Sequence, residues 1–85
     1  MVVGTQFTGS VGANSAKRWF TFGWPANWNV IWTVVSTSPV LGAPQVEWDV
    51  GVERATSTDI TYWITIRNLT SRSVNIEARF AIMNI

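Results

Sequence analysis

Glu47 and Asp49 are the nearest thing in this sequence to a catalytic pair. Two residues apart on an extended chain, their side chains share one face with the carboxylates roughly 6–7 Å apart. Glycoside hydrolysis uses paired carboxylates at comparable spacing. The competing use is structural: Arg67 and Arg79, on the strands that follow, can neutralise both acids across a sheet face. Nothing else supports catalysis. The chain has no histidine, so the usual general base near neutral pH and the usual metal ligand are missing. It has no cysteine, which excludes disulfides, thiolate zinc sites and iron–sulfur clusters. No nucleophile turn is recognisable, and a protein that is not an enzyme, with no cofactor and no metal, is expected.

The six tryptophans open a second chemistry. An aromatic face stacks on the apolar side of a pyranose ring while polar neighbours fix the hydroxyls. The same side chain fills cores and subunit interfaces. Trp32 and Trp48 fall on apolar strand positions and are assigned to the core. Trp24 and Trp28 flank Pro25 in what reads as a turn, and they are expected at an oligomer interface. Trp63 shares a strand face with Arg67, which predicts a cation–π contact or a further piece of that interface. Asn68-Leu69-Thr70 matches a glycosylation sequon, but a tight turn wants the same residues, and the turn is the reading taken.

The elements that must position these residues are strands, because no segment of useful length shows a period of 3.6. Residues 45–54 alternate strictly: Val46, Trp48, Val50 and Val52 are apolar, whereas Glu47, Asp49, Gly51 and Glu53 are polar or small. That pattern predicts one face in a core and one face wet or salt-bridged. Residues 59–67 place Ile60, Tyr62, Ile64 and Ile66 opposite Thr61, Trp63, Thr65 and Arg67. Residues 73–85 turn Val74, Ile76, Ala78, Phe80 and Ile82 inward and Asn75, Glu77 and Arg79 outward. Links at 55–58 and 68–72 have hairpin length, so the three strands are predicted to form a C-terminal meander with one charged outer face. Residues 18–22 and 29–35 are strands with little alternation, which predicts cover on both sides by a second sheet and a neighbouring subunit. Residues 9–16, 23–28 and 36–44 read as loops, the last interrupted by Pro39, Gly42 and Pro44, and a short strand is expected within 2–7.

The 85 residues make a single domain over 1–85, an all-β antiparallel sandwich of about six strands. A core this small is usually supported by disulfides, metal or association, and with the first two excluded the chain is expected to self-associate. Only 13% of its residues are charged, against about 25% in an ordinary domain. Forty-seven per cent are hydrophobic, so some apolar surface should meet another subunit or a ligand. The net charge of +1 is too small for binding driven by phosphates, and no nucleic-acid partner is expected. No run of about 18 apolar residues is available to span a membrane. The first five residues lack the pattern of a secretory leader, which predicts either a cytoplasmic protein or a piece of a longer one.

Taken together, Pro25, the apolar run 29–34 and the strands 46–54, 60–67 and 74–82 resemble the H-type lectins, the snail agglutinin and discoidin C-terminal family. The resemblance covers about two thirds of the chain, roughly residues 25–84, and lies in strand spacing more than in identical residues. It implies a six-stranded sandwich, trimers or paired trimers, and binding of a galactose-type glycan at subunit edges. Arg67 and Asn68 stand where the family carries a Trp-His pair, and Phe80 stands near its last-strand tryptophan. On this reading Arg67, Asn68 and Arg72 donate hydrogen bonds to sugar hydroxyls from one turn, and Trp24, Trp28 and Trp63 form the subunit interface. Two functions are therefore expected, in this order. The first is a non-catalytic, lectin-like carbohydrate-binding module acting as a homo-oligomer. The second is a structural or self-assembly domain of a larger bacterial protein, with no small ligand.

Overall fold

The computed structural model of the chain describes residues 1–38 and 41–85. Six strands follow one another: β1 (Val2–Val11), β2 (Ala16–Pro25), β3 (Val30–Ser36), β4 (Val46–Arg54), β5 (Asp59–Asn68) and β6 (Val74–Ile82). They form two three-stranded sheets, β1-β6-β3 (sheet I) and β2-β5-β4 (sheet II), with every pairing antiparallel. The expected all-β sandwich is present, and no helix occurs among the described residues.

Alternation fixes the core. Ile60, Tyr62, Ile64 and Ile66 of β5 meet Val74, Ile76, Ala78 and Ile82 of β6, all buried, with Val11, Trp24, Trp32 and Val34 around them. The two central strands carry the most regular inward rows because each is paired on both edges and covered by the opposite sheet. On β4 the alternation names the inward face but not how far the cover reaches. Val46 and Trp48 pack on the core, while Val50 and Val52 stay exposed on an edge strand.

The C-terminal meander does not form. β4 and β5 make the expected hairpin, but both edges of β5 are already taken by β2 and β4, so β6 crosses to the centre of sheet I. A five-residue connection suits either path, so its length could not separate them. The predicted common charged face is consequently split. Glu47, Asp49, Glu53 and Arg67 lie outside sheet II, whereas Glu77 and Arg79 lie outside sheet I, where they pair with each other.

Trp24 is also relocated. The register of β2 on β5 shifts between Thr21 and Trp24, so Phe22 and Gly23 together oppose Thr61. Gly23 sits at φ 80°, a backbone state glycine adopts without steric cost. This bulge points both Thr21 and Trp24 inward, and the strand runs on to Pro25 instead of ending in a turn at residue 23. The Trp24 ring meets Trp32 and Phe80 edge-on, each at 5.3 Å between centroids, and its indole N–H donates to Thr21 Oγ1 at 3.0 Å. A second bulge frees Gln6 of β1, whose Nε2 donates to the same hydroxyl at 3.1 Å.

Three further boundaries differ from expectation. β1 runs to Val11, so its turn is confined to residues 12–15. The turn after β2 is confined to 26–29, and Ser36 still belongs to β3. Gly42 and Pro44 lie in the link that follows, and Pro39 lies outside the described residues.

Candidate binding face

The turn expected to carry ligand is occupied by the chain itself. Asn68 is only 3% exposed. Its amide nitrogen donates to the carbonyl oxygens of Val11, Gly12 and Arg72, at 3.0, 3.1 and 2.6 Å. Its carbonyl oxygen accepts from the backbone N–H and the hydroxyl of Thr70, at 2.9 and 2.8 Å. The sequon residues thus clamp the β5–β6 crossing to the β1–β2 corner, and Asn68 offers nothing to a sugar. Arg67 faces away from that corner, and Arg72 is exposed on the turn with no side-chain partner among the described residues. The three are neighbours in sequence but are not brought to one site. Of the expected interface tryptophans, Trp24 is buried and Trp28 packs edge-on against it at 6.3 Å. Only Trp63 lies on an outer face.

That face is built in rows across sheet II. Register places Ala16, Arg67 and Glu47 side by side, then Arg18, Thr65 and Asp49, then Phe20, Trp63 and Gly51. Phe22 at the bulge, Thr61 and Glu53 complete the far end. One end of the face is charged. Arg67 Nε reaches Glu47 at 2.9 Å and its Nη1 reaches Asp49 at 2.8 Å, the structural use anticipated for the acids. The hydrogen bond from Arg67, with its positive charge, holds the Asp49 carboxyl below its ordinary value of 3.8, and the two acids hold the guanidinium above its own. A general acid needs the opposite shift. Beneath the face, burial pushes the Tyr62 phenol up.

The other end is aromatic. Phe20 is 58% exposed and Phe22 74% exposed, with ring centroids 6.3 Å apart. Phe20 adjoins Trp63 at 5.1 Å. Arg18, rather than Arg67, supplies the cation–π contact, its guanidinium carbon lying 4.6 Å from the Trp63 ring centre. The Trp63 indole N–H donates to Glu53 Oε1 at 2.7 Å, which fixes both the ring and the carboxylate.

Gly51 ends the aromatic row. Its φ is not positive, and a Cβ there would meet Trp63 only at ordinary contact distances, 3.5 Å or more. Neither backbone nor packing demands glycine, yet glycine weakens a strand interior and marks places where something approaches closely. Its effect is to leave an open step beside Trp63.

The sequence reading missed Arg18, Phe20, Phe22 and Gly51. Signals were present: Arg18, Phe20 and Phe22 alternate with Trp19 and Thr21, and Gly51 interrupts an otherwise regular strand. The described residues contain no group of three or more possible metal ligands, and no helix among them is long and apolar enough to cross a membrane. Comparison with protein-family models, with curated proteins and with solved structures gave no match.

Proposed function

We propose that this protein is a non-catalytic carbohydrate-binding module acting as a homo-oligomer, with the aromatic end of sheet II as its sugar contact. The observation that carries the reading is the row Phe20, Trp63 and Gly51, extended by exposed Phe22 and flanked by Arg18 and Glu53. The apolar face of a sugar ring lies against such aromatics, and the open step at Gly51 admits its edge. Glu53 accepts from hydroxyls and Arg18 donates to them. Glu47 and Asp49 are both held by Arg67 and serve the sheet. The resemblance to H-type lectins favours a galactose-type glycan, presented to repeated weak sites that gain strength by avidity.

A glycan array probed with the intact protein tests the reading. Binding should appear on galactose-type or related glycans and vanish with Phe20→Ala at unchanged β-sheet content. No binding to any glycan by the folded protein would remove the sugar. The second expected function, assembly without a small ligand, would then stand, and the exposed apolar residues outside sheet I favour it.

A further inference from the structure

The outer face of sheet I differs in chemistry from that of sheet II. Register sets Val3, Ala81 and Ile31 in one row, Thr5, Arg79 and Thr33 in the next, and Thr8, Glu77 and Val35 in the third. Val3 is 70% exposed and Ile31 50% exposed. Between them the small Ala81 leaves a depression of about 350 Å³, bordered on its polar side by Thr5, Thr33 and Arg79. The only charges in these rows, Glu77 and Arg79, are paired within the chain.

We infer that this face binds a second copy of the same chain. An internally neutralised face needs no charged partner, and depletion of charge marks the centres of protein interfaces. An isologous contact requires one face to carry both a projection and the depression that receives it. Its projection, Ile31, lies one strand away from its depression over Ala81. A two-fold axis running along the strands between β6 and β3 seats Ile31 of each copy over Ala81 of the other. It also sets Arg79 opposite the Thr33 hydroxyl. The overlap covers β6 and β3 of each copy and leaves β1 at the rim. The inference specifies the homo-oligomer in the proposed function and is independent of whether a sugar binds.

Light scattering at micromolar concentration without glycan tests it. The wild-type mass should be at least twice 9.5 kDa. Ile31→Glu, exposed in the single chain, should at least halve that mass with β-sheet circular dichroism intact. Phe22→Glu, outside sheet II, should leave it unchanged. A wild-type mass of 9.5 kDa, or an unchanged mass for folded Ile31→Glu, would overturn the inference. Thr33→Cys gives a second readout, because the chain has no other thiol. Its alkylation should slow as protein concentration rises, and a rate independent of concentration counts against the interface. Glycan binding by wild-type protein of monomer mass would spare the sugar site while refuting this surface.

Discussion

The two outer faces of the sandwich are built by the same rule and end up with opposite chemistry. Each sheet has one central strand paired on both edges, and each outer face is read from every second residue. Sheet I spends those positions on Val3, Ile31, Ala81, threonines and one internally closed ion pair. Sheet II spends them on five charged side chains, Trp63 and two exposed phenylalanines. The first face can be covered without stranding a charge. On the proposed function, the second meets a ligand that is apolar on one side and hydroxylated at its rim. The difference shows that strand order, and not chain order, decides which residues become neighbours, and the two proposals assign assembly to one side and recognition to the other.

The strongest way to break the comparison is to remove what holds both faces in place. Asn68→Ala deletes the clamp between the two corners, five hydrogen bonds made by one buried side chain. It should cost about 2–3 kcal/mol, since each hydrogen bond lost contributes roughly 0.5–1.5 kcal/mol net. Urea melts should show it as the largest loss of the set. Equal stability to wild type would mean the turn does not hold the sheets.

Gly51→Val sharpens the comparison by separating fold from recognition. A mid-strand glycine costs roughly 0.5–1 kcal/mol relative to alanine, and the added side chain meets only ordinary contacts at Trp63. The variant should therefore be at least as stable as wild type in urea, and it should lose glycan binding because the open step is filled. Stability gained with binding unchanged would move the sugar elsewhere.

The smallest effect is in pH. The Asp49 carboxyl is lowered in the folded chain by Arg67, so its contribution is present above the unfolded value and is lost as pH falls through the folded one. Stability should hold from neutral pH down to about 4 and then weaken below the ordinary carboxylate value of 3.8. Asp49→Asn should flatten that acid limb. Tyr62 acts at the other extreme: its raised phenol makes stability fall as pH climbs above 10. Thermal melts across pH check both limbs.

Much of this fold was legible in the sequence. The alternation in 46–54 and 74–82 named the strands and their inward residues, and the carboxylate-arginine pairing of Glu47 and Asp49 with Arg67 followed from it. What could not be read has identifiable causes. Trp24 went to the wrong place because a bulge adds one residue and reverses which side the chain presents. Asn68 reads as an exposed donor in the sequence because its type suits a solvent-facing turn as well as a buried clamp. β6 was paired with β5 because chain order says nothing about an edge already occupied. Phe20 and Phe22 were hidden inside a run that looked apolar on both faces. The register of β2 on β5 is what separates them from Trp19.

Where a glycan touches decides between sheet II and the turn after β5. The six tryptophans should give six indole N–H signals in a nitrogen–proton correlation spectrum of labelled protein. Titrating a glycan identified on the array should shift the Trp63 signal while Trp24 and Trp32 in the core stay fixed, and Gly51→Val should abolish that shift. A shift confined to the amides of Asn68–Arg72, with Trp63 unmoved, would return the site to the turn and contradict the assignment to sheet II.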